Sequence, residues 1–191
     1  MDEGLKLIAD PADLLAEIGR LRGEITRLGR RIEELDELAH QDPLIALPNR
    51  RGFLRDLERL IDRIQRYNAT GAMLYVDLDG LKMINDSFGH PAGDEALIVV
   101  AALLSKGVRR SDIVARIGGD EFGILLESCD PARAAETARR LTELIGDSGF
   151  NYRGDNLPLS VAIGVTMIGA GDNAAEVMAR ADEEMYRAKA A

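Results

Sequence analysis

The stretch "RIGGDEFGIL", from Arg116 to Leu125, places two glycines and two acids between apolar segments. The flanking runs "DIVARI" and "EFGILLE" have the β-branched and apolar composition that is typical of strands. Because glycine adopts a positive φ readily, Gly118-Gly119 predicts a hairpin turn between the two strands. Taken alone, Gly-Gly-Asp-Glu is equally compatible with an ordinary polar turn, so the rest of the chain has to decide.

Working outward from the hairpin, further strands alternate with segments that have helical periodicity. The predicted strands are 71–79 and 157–168, and the predicted helices are one capped by Asn49, one within 89–110, one at 131–146 and one at 173–190. This order, with one hairpin and helices between the other strands, predicts an α+β fold in which helices cover a mainly antiparallel central sheet.

Composition narrows the possible functions. The chain has 191 residues, 46% of them hydrophobic, so it can form a substantial core, and its net charge of −9 argues against broad binding to nucleic acid. Cys129 is the one cysteine, which excludes an internal disulfide and fits a reducing compartment. No apolar run approaches the ~20 residues of a membrane span, and the acidic N-terminus does not resemble a signal peptide. The sequence therefore predicts a cytoplasmic protein with no membrane partner.

Residues 1–40 have a different pattern from the rest of the chain. Their apolar residues alternate in steps of three and four, with Ile at the a positions and Leu at the d positions: Leu14, Ile18, Leu21, Ile25, Leu28, Ile32 and Leu35. This heptad choice favours a parallel two-stranded coiled coil. We therefore predict a dimerisation stalk over 1–40 and a second domain over 41–191; the alternative is a lone amphipathic helix packed on its own domain.

Three acids lie where the predicted strands end. Asp77 closes "LYVD", and Asp120 and Glu121 lie at the hairpin turn. If the strands are neighbours, these carboxylates converge at one edge of the sheet, where their mutual repulsion calls for a cation such as Mg²⁺ or Mn²⁺. The glycines before them would let a phosphate or a base approach the backbone. This layout is typical of two-metal phosphoryl or nucleotidyl transfer.

Several long motifs, in a fixed order, now carry a resemblance to a known family. They are "DPLIALPNRRGF", "DLDGLKMINDSFGHPAGDEAL", "RRSDIVARIGGDEFGILL", "SVAIGVT" and "ADEEMYRAK". Together they cover about residues 41–189, and this region resembles the GGDEF-domain diguanylate cyclases. The resemblance implies a palm-like sheet akin to that of class III nucleotide cyclases. It also implies the condensation of two GTP molecules into cyclic di-GMP and pyrophosphate.

The resemblance assigns roles residue by residue. Asp77 and the carbonyl of Leu78 match metal ligands, while Asp120 and Glu121 match the acidic pair that binds metal and helps to activate the ribose 3′-hydroxyl. The substrate contacts that it implies are Lys82 at the triphosphate, Asn85 and Asp94 at the guanine, Gly118 and Gly119 at the turn, and Lys189 in the last motif.

The guanine pair also has a physical basis. A carboxylate accepts hydrogen bonds from guanine N1–H and the exocyclic amine, donors that adenine does not present at these positions. Without the motif, Asn85 would be interpreted as a helix C-cap, and Asp94 as an acid favoured by a helix dipole.

Arg109 and Asp112 form an R-x-x-D motif that matches the family's inhibitory product-binding site. Arg63, Arg139 and Arg140 are candidates for the further arginine that such sites use, and the alternative for the pair itself is a surface ion pair in a turn. Two departures from the family pattern stand out: "LIAL" (44–47) replaces Leu-Thr-Gly-Leu, and no Gly-Arg-Asn-like segment follows Lys189, which predicts one fewer phosphate contact.

These observations predict a dimeric, metal-dependent diguanylate cyclase that is inhibited by its product. The main alternative is a catalytically silent cyclic di-GMP receptor that uses only Arg109 and Asp112; a broken acidic pair would be its usual mark, and here the pair is intact. A pure dimerisation module would need none of the substrate-contacting residues, and a cyclase with a one-nucleotide product is a third rival.

Overall fold

The computed structural model describes residues 11–190, which form helices α1–α6 and strands β1–β6. Their bounds, in chain order, are α1 Pro11–His40, α2 Arg50–Tyr67, β1 Gly71–Leu78, α3 Leu81–Phe88, α4 His90–Lys106, β2 Ile113–Arg116, β3 Glu121–Glu127, α5 Pro131–Gly146, β4 Asn151–Tyr152, β5 Asp155–Asn156, β6 Val161–Met167 and α6 Ala174–Lys189. The chain divides into two compact units between Ala39 and His40.

The second unit is built on a four-stranded sheet in the order β2-β3-β1-β6, with every neighbouring pair antiparallel. The predicted hairpin is present as β2 and β3, and β1 lies between β3 and β6. All eight residues of β1 are buried. The predicted α+β class with a mainly antiparallel sheet is confirmed.

The two faces of the sheet bury different sets of helices because successive strand residues point to opposite sides. Leu74, Val76 and Leu78 of β1 pack in a core with α4 and α5. Met73 and Tyr75 pack in a second core with α2 and α6. Even-numbered residues of β1 therefore face α4 and α5, and odd-numbered residues face α2 and α6. Tyr75 and Asp77 lie on the side of α2 and α6.

Local sequence signals fix the ends of the helices. The Asn49 side chain accepts hydrogen bonds from the backbone N–H groups of Arg51 and Gly52, so the predicted cap of α2 is confirmed. On α6, Asn173 and Glu176 form a reciprocal capping box. These contacts satisfy N–H groups that the first helical turn leaves without partners.

Helix α6 approaches β6 very closely at Gly164. A Cβ atom at this position would lie 2.1 Å from the backbone nitrogen of Met185 and 2.2 Å from the carbonyl oxygen of Ala181. Such distances are far below van der Waals contact, so only glycine lets the helix backbone rest on this strand.

Two elements were not among the predictions. Helix α3 (Leu81–Phe88) follows β1 directly, and a small hairpin of β4 and β5 precedes β6. Helix α3 has eight residues and buries one of them, Ile84, so its sequence carries too little periodicity to be recognised.

Helix α1 carries the heptad pattern on an exposed face. The side chains of Leu14, Ile18, Leu21, Ile25, Leu28 and Ile32 are between 44% and 68% exposed, while the side chain of Leu35 lies outside those that the structure describes. Within residues 11–190 no helix has both the length and the apolar character that a membrane span requires. Parallel pairing of α1 with a second copy stays a prediction.

Candidate active site

The strand register brings the predicted acids to one end of the sheet. Asp77 of β1 lies directly opposite Glu121 of β3 in the antiparallel ladder. Asp120 precedes Glu121 in the turn, and its carbonyl accepts a hydrogen bond from the backbone N–H of Leu78 at 2.9 Å. Opposed residues of an antiparallel pair share one face of the sheet. The predicted adjacency of these segments is therefore present in the fold.

The carboxylates themselves engage separate partners. Asp77 is buried and pairs with the Lys189 ammonium at 2.5 Å, whereas Glu121 accepts a hydrogen bond from the Tyr75 hydroxyl at 2.8 Å. Among residues 11–190, no three His, Cys, Asp or Glu side chains are grouped closely enough to hold a metal ion. The gathering of the three acids around divalent cations stays a prediction.

Lys189 is the cationic partner of the acids in this conformation. Its ammonium contacts Asp77 and lies 3.8 Å from Asp79. The hydrogen bond to Asp77 raises the pKa of Lys189, and the charges of Asp79 and Asp120 act in the same direction. The oxygen donors here, namely the Asp77 and Glu121 carboxylates and the Leu78 carbonyl, are chemically suited to Mg²⁺ or Mn²⁺. These donors therefore fit a divalent cation, although the Lys189 ammonium neutralises the Asp77 carboxylate in this conformation.

The glycines of the turn do not have the backbone conformation that was predicted for them. Neither Gly118 nor Gly119 has a positive φ, so the conformational reason given for them is wrong. A Cβ atom on Gly118 would lie 1.9 Å from the Glu121 carboxylate oxygen Oε2. Gly118 is needed for the space that Glu121 occupies, whereas a Cβ atom on Gly119 would have no described atom within 4 Å.

Helices α3 and α4 hold the residues expected to contact the triphosphate and the base. Lys82 and Asn85 lie on α3, and Asp94 lies on α4, which packs against α3. The side-chain oxygen Oδ1 of Asn85 is buried and has no hydrogen-bond partner. A buried acceptor without a partner is costly, and a ligand donor would satisfy it. Its environment supports the predicted base contact more than a purely local capping role.

Gly93 lies next to the Asn85 amide. A Cβ atom on Gly93 would lie 2.1 Å from Asn85 Oδ1 and 2.9 Å from Asn85 Cγ. Because Gly93 has no side chain, it leaves room for the Asn85 amide. Gly93 directly precedes Asp94 in the sequence. Gly93 was not singled out from the sequence, because its helical position shows no turn signal.

The R-x-x-D motif forms a compact structure at the far end of β3. The Asp112 carboxylate accepts hydrogen bonds from the backbone N–H groups of Arg109 (2.9 Å) and Glu127 (3.3 Å). A pocket beside them is lined by Arg109, Asp112, Leu126, Glu127, Cys129, Arg133, Thr137 and Arg140. Burial raises the pKa of the Cys129 thiol, which disfavours the reactive thiolate.

The three candidate arginines for this pocket differ in position. Arg140 lines it, together with Arg133, which was not among the residues named from the sequence. Arg139 pairs with Glu143 and Glu136 on the exposed side of α5. Arg63 pairs with Glu127 from α2.

Arg116 is another residue that sequence reasoning missed. Its guanidinium donates to the carbonyl oxygen of Gly119 at 2.7 Å and pairs with Asp42 at 3.4 Å. Both side chains of this ion pair are largely buried. Arg116 thus ties the segment that precedes α2 to the Gly-Gly turn. A charged residue at the end of an otherwise apolar strand is the signal that could have identified it.

The fold has counterparts among known proteins. The family described as "Diguanylate cyclase, GGDEF domain" matches residues 39–191, which is most of the chain. The chain belongs to the GGDEF family. The match begins close to the division between the two compact units, so this GGDEF domain corresponds to the second unit.

Curated relatives place the GGDEF domain within longer proteins. The chain is 40% identical over 165 residues to the bifunctional diguanylate cyclase/cyclic di-GMP phosphodiesterase MucR of Pseudomonas aeruginosa, covering 86% of this chain and 24% of that protein. It is 34% identical over 190 residues to the response regulator PleD of Caulobacter vibrioides, covering 95% of this chain and 41% of that protein. The chain therefore spans about a quarter of the length of MucR and about two fifths of the length of PleD.

Solved structures of GGDEF proteins share the fold. One contains the coiled coil and GGDEF domain of DgcB from Caulobacter crescentus in complex with c-di-GMP, with a TM-score of 0.83, 26% identity, and coverage of 93% of this chain and 94% of that one. Another is the diguanylate cyclase SiaD of Pseudomonas aeruginosa in complex with its activator SiaC. This match has a TM-score of 0.78 and 28% identity, and it covers 94% of this chain and 69% of that one.

Proposed function

We propose that this GGDEF domain is a diguanylate cyclase, which condenses two GTP molecules into cyclic di-GMP and releases two pyrophosphates. In each half-reaction a ribose 3′-oxygen attacks the α-phosphorus of the other nucleotide, and the bond from that phosphorus to pyrophosphate breaks. The observation that carries the proposal is the register that sets Asp77 opposite Glu121 beside an intact Gly-Gly-Asp-Glu turn. With GTP as substrate, the same proposal places the domain in the cytoplasm.

The acidic end of β1 and β3 would hold the metal ion. Asp77, the Leu78 carbonyl, Asp120 and Glu121 are the proposed ligands of Mg²⁺ or Mn²⁺. When bound, such an ion neutralises phosphate charge and lowers the pKa of a coordinated hydroxyl. Glu121 is in addition the proposed acceptor of the 3′-hydroxyl proton, since a carboxylate must stand within hydrogen-bond reach of that group.

Lys189 has two possible partners in this scheme. In the structure its ammonium neutralises Asp77. A triphosphate brings competing negative charge, and a flexible lysine is suited to contact it as a point cation. We therefore assign Lys189 to the substrate together with Lys82, and we expect its contact with Asp77 to weaken once a divalent cation is present.

The surface of α3 and α4 that carries Asn85 and Asp94 is the proposed guanine site. The unpartnered Asn85 oxygen would accept a hydrogen bond from the base, and the Asp94 carboxylate would accept from guanine N1–H and the exocyclic amine. ATP presents a different edge, which would leave these acceptors buried without donors.

Replacing Gly93 by Ala tests this assignment. The added methyl group would displace the Asn85 amide, so we expect KM for GTP to rise by about tenfold or more and the preference for GTP over ATP to fall. Steady-state kinetics with both nucleotides measures the effect. The matched control is Gly146→Ala, since no described atom lies within 4 Å of a Cβ at Gly146. Unchanged discrimination in Gly93→Ala would remove Asn85 from the base site.

Two GGDEF domains must face each other, because each proposed site holds one GTP and the product contains two. The exposed heptad face of α1 supports parallel pairing of two copies, which would raise the effective concentration of one domain near the other. The match to the coiled coil and GGDEF domain of DgcB covers a larger share of the chain than residues 39–191, so it also includes part of α1.

Insertions into α1 test whether the stalk sets the geometry between domains. We expect activity to oscillate with the number of inserted residues and to return at seven, because only a narrow range of distances and angles is productive. The series of one to seven residues is placed after Gly29 and assayed at a fixed dimer fraction, measured by light scattering. Activity that depends on length alone and ignores heptad phase would contradict the proposal.

The pocket around Arg109 and Asp112 is the proposed inhibitory product site. Arginine binds guanine O6 and N7 bidentately, and Arg133 and Arg140 supply further positive charge. A silent cyclic di-GMP receptor would use this pocket alone, which makes it the second candidate function.

Incubation of the chain with GTP and Mg²⁺ separates the candidates. A diguanylate cyclase forms cyclic di-GMP and pyrophosphate, which chromatography and a phosphate assay detect. A receptor binds added cyclic di-GMP and leaves GTP unchanged. A product that contains one nucleotide would identify a different cyclase and overturn the proposal.

A further inference from the structure

Tyr75 is a buried side chain whose hydroxyl is directed at the Glu121 carboxylate, the proposed acceptor of the 3′-hydroxyl proton. Its ring belongs to the core between the sheet and helices α2 and α6, and the residue is 6% exposed. The hydroxyl donates to Glu121 Oε1 at 2.8 Å. A tyrosine phenol is protonated at neutral pH, so the hydroxyl acts as the donor.

Strand parity explains why this contact forms. Tyr75 and Asp77 are two residues apart in β1 and therefore lie on the same face. Glu121 lies opposite Asp77 on the neighbouring strand, so the Tyr75 hydroxyl reaches it diagonally across the pair. One face of the sheet thus carries the two proposed metal-binding carboxylates and a single rigid phenol donor.

The second oxygen of Glu121 has room beside the turn. Oε2 lies in the space where Gly118 lacks a side chain, 1.9 Å from the position of an ideal Cβ. Tyr75 therefore holds Oε1 by a hydrogen bond, and Gly118 leaves space for Oε2.

We propose that Tyr75 is a positioning residue, which orients the Glu121 carboxylate for metal binding and proton transfer through its hydroxyl. This inference rests on the proposed diguanylate cyclase function and adds a residue that the family motif does not contain. A rigid aromatic donor suits this role, since a hydrogen bond to a charged acceptor is stronger than one between neutral groups.

The test compares Tyr75→Phe with the unaltered chain in two assays. The first measures kcat and KM for cyclic di-GMP formation, where we expect kcat to fall about tenfold and KM to change less than twofold. The second titrates Mn²⁺ into protein saturated with 3′-deoxy-GTP, which lacks the attacking hydroxyl, and we expect the Mn²⁺ Kd to rise about tenfold. The matched control is Tyr152→Phe, another buried tyrosine that belongs to the opposite core.

A double-mutant cycle separates positioning from a general structural effect. In a Glu121→Gln background, Tyr75→Phe is expected to leave the Mn²⁺ Kd unchanged, because the carboxylate that it orients is already gone. An equal rise in both backgrounds, or an unchanged Kd and kcat in the single variant, would overturn the inference. Failure of the proposed function looks different: the unaltered chain would make no cyclic di-GMP, while the Mn²⁺ cycle would still report on Tyr75.

Discussion

Glu121→Gln is expected to lower turnover of GTP by ~10³-fold or more, the scale on which removal of a member of a catalytic unit acts. The substitution removes a negative charge and the proton-accepting group while keeping the shape of the side chain. Its amide oxygen can still accept the hydrogen bond from Tyr75, so the local packing should persist. The expected loss is therefore chemical, with little change in the free energy of unfolding.

The measurement is single-turnover formation of cyclic di-GMP, which separates the chemical step from product release. The control is Glu183→Gln, the same substitution at an exposed residue of α6. If Glu121→Gln retained more than about a tenth of the activity, Glu121 would not be the proton acceptor.

Gly164→Ala is expected to destabilise the domain by about 3 kcal/mol or more, at the upper end of the range for overpacked cores. The added methyl group would meet backbone atoms of α6 at Met185 and Ala181, which cannot rotate away as a side chain would. Relief requires the helix to move off β6. Because Lys189 ends that helix and pairs with Asp77, the same movement would disturb the acidic site.

Denaturation by urea, with the free energy extrapolated to water, measures this effect. Gly146→Ala is again the control, and it should be neutral or slightly stabilising because alanine reduces the entropy of the unfolded chain. A loss below about 1 kcal/mol in Gly164→Ala would mean that α6 shifts at little cost.

Much of the fold followed from local signals in the sequence. The hairpin around Gly118, the buried strand that contains Asp77 and the cap at Asn49 all depend on neighbouring residues, and each is present in the structure. Helix α3 and the β4–β5 hairpin were missed because they are short. The strands of that hairpin have two residues each, which is too few for alternation to be visible.

The sequence was enough to predict which backbone segments meet at the candidate site. It was not enough to predict which side chains contact the acids there. Strand pairing brings Asp77 and Glu121 together, and pairing follows from hydrophobic pattern. Their partners Lys189 and Tyr75 lie 112 and 46 residues away along the chain, so only the packed tertiary structure reveals these contacts. The same holds for Gly118. It leaves space for the Glu121 carboxylate, and it does not adopt a positive φ.

Strand β1, which carries Asp77, is hydrogen-bonded along both edges and buried along its whole length. Such a strand belongs to the part of a domain that exchanges its amide hydrogens only when the entire domain unfolds. Local unfolding of β1 is therefore not a suitable way to regulate the proposed cyclase activity. Under the proposed function, we expect control to come from rigid-body displacement of one intact domain relative to the other, with the acidic edge of each sheet unchanged.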